Sequence, residues 1–348
     1  MIAQKSDIIY EKKKFNIFLA LLRMYLSFLV VNAHLFNSSR SNIKNIYIIK
    51  LLKNRISVPI FFIMSFFFCY RIIYSKNITK IKERFERMLI PYFIWPIIIL
   101  IINNIFYLSL NIKLKISLKE LLIQYKTGHN IVAVLWFQLN LIMSTLLILS
   151  IKLLFDKNIS FFLVNIQIIA YFFQYSDFNY NLFIKYDYYR RYPYGRFMEI
   201  IPHCITGYIL ASLNLLIYLK QNKIKSISSL LVFLSFIIKY KIIINPKGFN
   251  YQGILLHIKS LIIFLIVAII PSEKITNKNI IKFIKKLTNY TSGIYYLHIP
   301  ISLYLSNFFL LIKQKTICGC LIIYIICYCI SYFGIMVLGK TKLRHLFQ

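Results

Sequence analysis

The sequence has little of what a soluble domain uses to stay in water. Charged residues fill 15% of its 348 positions, and only 10 residues are acidic. Soluble domains carry about a quarter charged residues, so the usual polar shell is missing. Glycine and proline are also scarce, at 9 and 8. That leaves little material for interdomain linkers, or for the paired, broken helices of a two-halved transporter. No internal repeat, Gly/Ser linker or soluble extension interrupts the chain. The six cysteines are Cys69, Cys204, Cys318, Cys320, Cys327 and Cys329, the last four in C-x-C pairs with no nearby histidine. This spacing fits neither zinc ligation nor a secreted disulfide framework. The cysteines therefore read as small buried apolar residues, and no metal is expected.

What is present is apolar. Hydrophobic residues make up 59% of the chain, and the mean hydropathy is +0.67. Runs of about 20 apolar residues, each long enough to cross a bilayer, recur between short Lys-rich stretches. Ten can be drawn, at 15–36, 56–74, 88–110, 131–153, 159–175, 197–219, 226–244, 254–270, 288–312 and 316–338. The expectation is an all-α polytopic membrane protein with about ten transmembrane helices and no soluble domain. It reads as one domain over 1–348 with its core at 15–338. The first run follows Lys12, Lys13 and Lys14 but is too long for a signal-peptide core and lacks a small-x-small cleavage site, so it reads as a retained helix.

A formal net charge of +33 would suggest nucleic acid on a polar scaffold with a basic face. Here the Lys and Arg residues cluster in loops between apolar runs, where they meet lipid headgroups. The expected partner is the bilayer and not nucleic acid. Slightly more basic residues fall on the amino-terminal side of the loops, which places both termini in the cytosol of a cell-membrane protein.

Ionisable residues inside such runs are costly and usually face a protein interior or a wet cavity, which makes them site candidates. Arg23 and His34 are eleven residues apart. A helix returns to within about 20° of the same face over that interval, about 16 Å further along its axis. They share a stripe with Ser27 between them, although two ends snorkelling to opposite interfaces give the same spacing. Lys80, Arg84 and Arg87 follow an i, i+4, i+7 pattern ahead of the third run. Such a stripe suits phosphate groups, and Glu83 and Glu86 offer the alternative of a solvated, ion-paired face. In the ninth run Thr291, Tyr295 and His298 share a face by the same rule, where a lone histidine also serves simply to bond a neighbouring helix. Glu199 and His203 in the sixth run and His257 and Lys259 in the eighth rank below these. The loop from Ser176 to Phe197 is crowded with Tyr186, Tyr188, Tyr189, Tyr192 and Tyr194, a composition shared by sugar-stacking surfaces and interfacial aromatic belts.

Taken in order, these features resemble the acyltransferase-3 family of membrane acyltransferases. Its first helix carries Arg or Lys, ten residues, then His, matched by Arg23 to His34 in LLRMYLSFLVVNAH. Its Pro-Phe-Phe run before Ser-Gly-Phe is matched by VPIFFIMSFFF, with Pro59, Phe61, Phe62 and Ser65, and with Phe66 in place of the glycine. RFERMLIPYFIW supplies the Arg-x-x-Arg pattern as Arg84 and Arg87, followed by Pro91 and Tyr92. Leu135-Trp136-Phe137 is similar to the family's Leu-Trp-Phe, and SGIYYLH, Ser292 to His298, to its last motif.

The resemblance implies transfer of an acyl group, usually acetyl from cytosolic acetyl-CoA as co-substrate, to a hydroxyl of a surface or capsular polysaccharide or a lipid-linked sugar. No permanently bound cofactor is implied. His34 would act as general base and Arg23 would hold donor or oxyanion charge. Arg84, Arg87 and Lys80 would take the CoA phosphates. His298, Tyr295, Ser65, Trp136 and Glu199 are expected to bind the acceptor. The competing expectation is a polysaccharide exporter or flippase whose path the polar stripes line.

Overall fold

The computed structural model describes residues 16–38, 56–109, 118–127, 135–175, 193–213, 215–239, 254–271, 275, 277–289, 291, 293–294, 296–298, 301 and 317–338. Within these, the side chains at 32–38, 102–103, 105–109, 118, 120, 175, 193–195, 235–239, 317–321, 323–324 and 338 are not described. The described residues are all-helical, with no strand among them. Among the described residues there are twelve α-helices and one 3-10 turn. In chain order they are α1 Ile17–Ser38, α2 Ser57–Tyr74, α3 Ile78–Ser109, α4 Leu118–Thr127, α5 Leu135–Leu154, the 3-10 turn Asp156–Asn158, and α6 Ile159–Tyr175. Then follow α7 Pro193–Ser212, α8 Leu215–Gln221, α9 Lys223–Lys239, α10 Ile254–Ile269, α11 Lys278–Asn289 and α12 Ile317–Leu338. The described positions of 291–301 are helical as well.

Among the described residues two helices, α2 and α5, are long and apolar enough to cross a membrane, and the bent pair α7 and α8 makes a third if counted as one span. Shorter apolar helices cover Ile17–Val31, Ile254–Ile269 and Ile325–Val337. Spanning length is thus met by two or three of the ten expected runs among the described residues, and 302–312 of the ninth run lie outside them; the helices differ from the drawn runs in three further respects. The third run starts earlier, because the charged lead-in and the apolar run form one helix of 32 residues with Pro91 and Pro96 inside it. Each proline removes a helical hydrogen bond, but buried Tyr92, Trp95 and Ile99 on the same helix anchor it into the core. The sixth run breaks by 63° between α7 and α8. Just before the break the Ser212 hydroxyl donates to the carbonyl of Ile209 at 2.7 Å, offering that carbonyl a partner outside the helical ladder. The third difference is α11, which precedes the ninth run. Short helix α4 also forms where the sequence suggests only a loop.

α2 is the hub. Ten of its residues are buried, while Phe68, Arg71 and Tyr74 toward its end are exposed. Its closest partner is α7. A Cβ on Gly207 would lie 2.3 Å from the Ile63 carbonyl oxygen, so only glycine lets the two backbones approach this closely. Around this crossing one apolar cluster joins α2, α3, α5 and α7 through Phe62, Phe66, Trp95, Ile148 and Ile205. A second joins α1, α2 and α10 through Leu26, Ile60, Ile63 and Phe264. Of the cysteines expected to be buried, Cys69, Cys204 and Cys327 are, while Cys329 is exposed: it falls on the outer side of α12 next to exposed Ile330. The Cys318 and Cys320 side chains lie outside the described ones. Among the described residues no group of His, Cys, Asp and Glu is arranged to hold a metal ion.

Candidate functional site

The polar side chains gather in three places around the α2 hub. In the first, Arg84 of α3 turns inward. Its Nη2 donates to Ser65 Oγ at 3.2 Å and, more loosely, to Thr145 Oγ1 at 3.5 Å. The guanidinium lies 5.6 Å from the centre of the Phe66 ring. Phe66, standing where the family motif has glycine, thus fills the floor beneath the cation and is fully buried. Arg84 Nε is sealed from solvent without a hydrogen-bond partner among the described residues. Arg84 also forms no ion pair among them.

The other members of that stripe behave differently. Arg87 is exposed, donates to the Glu83 carbonyl at 3.1 Å and pairs with the Glu83 carboxylate at 3.7 Å. Lys80 is exposed, and its backbone N–H takes the Asn77 side-chain oxygen at 3.0 Å, which caps the start of α3. The sequence alternatives of phosphate stripe and ion-paired face are therefore divided among the residues: Arg84 faces inward, Arg87 is paired at the surface, and Lys80 is solvated.

The second gathering joins α1 to the 291–301 segment. Arg23 is half-buried and within electrostatic reach of Tyr296. The Tyr296 hydroxyl donates to Gln138 Oε1 at 3.0 Å, and Gln138 Nε2 donates to the Met88 carbonyl at 3.0 Å. The Tyr296 ring stacks on Trp95, with centroids 5.2 Å apart and planes inclined by 14°. Tyr296 is thus the tyrosine that the structure brings to Arg23, whereas Tyr295 lies outside the described residues. His34 sits on α1, as expected, but its side chain also lies outside the described ones. Ser27, between Arg23 and His34 in sequence, meets the Tyr328 hydroxyl at 3.3 Å. His298 is buried and its Nδ1 lies 2.9 Å from the Ile294 carbonyl. A carbonyl only accepts, so Nδ1 carries a hydrogen.

The third gathering runs along α7. Arg196, Glu199, His203 and Thr206 follow one another at i, i+3, i+7 and i+10 and share a face. Arg196 lies 4.7 Å from the centre of the Trp136 ring, a cation–π contact. Glu199 and His203 are buried. The His203 ring stacks on His257 of α10, with centroids 4.6 Å apart and planes inclined by 14°. His257 Nε2 is 2.8 Å from Thr206 Oγ1, which also accepts from Gln167 Nε2 at 3.1 Å.

Several of these participants give no signal in the sequence. Arg196 falls by composition in the crowded loop, although it begins the α7 stripe. Gln138 and Trp95 are neutral side chains in apolar runs and carry no charge signal. Tyr296 is adjacent to the tyrosine that helical spacing selects. A one-residue change of register turns a side chain by about 100°.

Outside the apolar helices, Asp156 closes the turn between α5 and α6. It accepts from Lys152 and from Lys76, the latter at 2.7 Å. Lys152 first and Lys76 second lower its carboxyl from near 3.8 to about 2.

Chemically, the arrangement offers a guanidinium on a bed of hydroxyls and one aromatic ring, a second guanidinium near a tyrosine, and a stacked histidine pair of which His257 bonds Thr206. These parts belong to a helical protein with helices of membrane-spanning length and polar groups gathered within it. The family model described as an acyltransferase domain matches residues 16–338, and the chain belongs to that family, acyltransferase-3. Comparison with curated proteins and with solved structures found no match.

Proposed function

We propose that the chain is a multi-pass membrane O-acyltransferase. In this reading about ten helices cross the cell membrane with both termini in the cytosol. An acetyl or similar acyl group passes from acyl-CoA to a hydroxyl of a cell-surface or capsular polysaccharide or its lipid-linked precursor. The observation that carries the proposal is Arg84. A guanidinium with a sealed Nε, no carboxylate partner among the described residues, and hydroxyls and an aromatic ring beneath it is suited to an incoming anion. It also stands at the position of the family's Arg-x-x-Arg motif. Arg87 and Lys80, more exposed on the same stripe, extend the positive surface outward over the reach of a nucleotide with several phosphates.

The acyl group must move from this cytosolic nucleotide to an acceptor hydroxyl, and α1 supplies the groups for it. His34 takes the hydroxyl proton as the oxygen attacks the thioester carbonyl, a role for which the ordinary basicity of an imidazole side chain is suited. Arg23 stabilises the oxyanion that forms, and Tyr296 beside it, fixed by Gln138 and stacked on Trp95, orients the guanidinium. The carbon–sulfur bond then breaks, the ester remains on the acceptor, and the CoA thiolate regains the proton. The long pantetheine arm lets the thioester enter the membrane while the nucleotide stays wet. Trp136, His298, Ser65 and Glu199 remain the candidates for positioning the acceptor.

The test is acyl transfer from radiolabelled acetyl-CoA in membranes expressing wild type or His34→Ala at equal level, with label followed into polysaccharide and glycolipid. The reading expects incorporation by wild type and a loss of about 100-fold or more in the variant. Unchanged incorporation by His34→Ala would remove the histidine from the mechanism. If wild type transferred neither acetyl nor succinyl, export of the polysaccharide would become the better account.

A further inference from the structure

α11 carries none of the side chains placed in the site, yet its lysines and its apolar residues are sharply divided between faces. Asn277 caps it, its side-chain oxygen accepting from the N–H groups of Asn279 and Ile280 at 2.9 and 3.3 Å. Ile284 and Thr288, one turn apart, are buried, and the helix packs against α1. Ile280 and Phe283 share the adjoining strip and are 47% and 62% exposed. Lys278, Lys282, Lys285 and Lys286 are all exposed and form no ion pair among the described residues. The helix contains no acidic residue.

One face is thus occupied by α1, the next is an uncovered apolar strip ending in a phenylalanine, and the rest is lysine. A soluble phosphate compound would account for the lysines but leave Ile280 and Phe283 in water. A lipid surface accounts for both, because the apolar strip enters the acyl boundary while the lysines beyond its free edge reach the headgroups.

We propose that α11 is an interfacial helix that binds anionic phospholipid, its Ile280–Phe283 strip set into the bilayer surface and its four lysines collecting acidic headgroups. The proposal rests on the reading that the chain spans a membrane. It also has a place in the site's architecture, since α11 leads through Thr291, whose hydroxyl donates to the Thr288 carbonyl at 2.9 Å, into the segment that holds Tyr296 against Arg23.

The test uses full-length protein carrying Phe283→Trp, reconstituted in phosphatidylcholine vesicles containing brominated phosphatidylglycerol or, at equal mole fraction, brominated phosphatidylcholine. Quenching of the parent's Trp95 and Trp136 is subtracted. Charge attraction at the surface predicts quenching by the anionic lipid at least about threefold stronger than by the neutral one. Replacing Lys278, Lys282, Lys285 and Lys286 together by Gln should bring the ratio to about one, and replacing them by Arg should preserve it. Equal quenching with the lysines intact, or a ratio that survives the Gln replacements, would overturn the proposal. Absence of quenching by either lipid would show the strip to be covered by protein and would overturn it as well. Alkaline carbonate extraction of the parent membranes separates this from the underlying reading: release into the soluble fraction overturns the membrane assignment, whereas retention with a ratio of one overturns the lipid site alone.

Discussion

The polar stripes of α3 and α7 differ in where their partners come from. Along α7, Arg196 rests on Trp136 while His203, His257, Thr206 and Gln167 bond or stack with one another. This is how a helical membrane protein holds polar groups at depth when they join its helices together. Along α3, Arg84 has hydroxyls and a ring but no counter-charge among the described residues. Both stripes look alike as spacings in the sequence. The α7 groups stack on or bond to partners across helices, although His257 Nδ1 is sealed without one among the described residues; Arg84 faces hydroxyls and a ring with no carboxylate among them, and the proposed function takes that difference as the mark of the ligand-binding cation.

If that distinction is right, substitutions in the two stripes should fail in different ways. The largest effect is expected from Arg84→Gln, which should reduce acyl transfer by about 100-fold or more while the thermal midpoint of the purified protein changes little. Arg84→Lys should restore part of the rate but with a raised KM for acyl-CoA, because a point charge replaces a planar fork. His257→Phe should behave in the opposite sense. Removing the partner of Thr206 costs about 1–3 kcal/mol of stability, read as a lower Tm and lower protein level, with near-normal rate per folded molecule. Arg87→Gln should be milder than either. Its exposed pair with Glu83 is worth about 0–1 kcal/mol, so stability should hold and the KM for acyl-CoA should rise about threefold. The smallest effect concerns pH. The Asp156 carboxyl titrates at about 2 in the folded protein, below its ordinary 3.8. Its stabilising contribution is therefore present above about pH 4 and lost as pH falls through 2. Asp156→Asn should flatten the fall in Tm over that acid window, and an unchanged acid profile would show that the two lysines do not matter there.

Much of this is legible in the sequence because burial in an apolar run makes charge conspicuous. Arg23, Arg84, Glu199, His203 and His257 stand out as ionisable residues, and the order of motifs leads to the family. Helix ends are less legible. The α3 lead-in carries too many charges to read as part of an apolar run, yet its inward residues Arg84 and Phe85 pack with the core, so the helix continues through it. The break after α7 falls within one apolar run, so no hydropathy pattern records it. Within the site, Tyr296, Gln138 and Trp95 stay hidden because neutral polar and aromatic side chains are unremarkable in such runs until a partner appears. Gln138 lies 158 residues from the tyrosine that bonds it. Helical periodicity orders residues within one element and is silent on which elements meet.

The central claim is that Arg84 holds the phosphate-bearing donor, and equilibrium binding of radiolabelled CoA to purified wild type and Arg84→Gln tests it most directly. The account predicts saturable binding by wild type and an affinity lower by about 10-fold or more in the variant at equal folded protein. Equal affinity for the two proteins would contradict it.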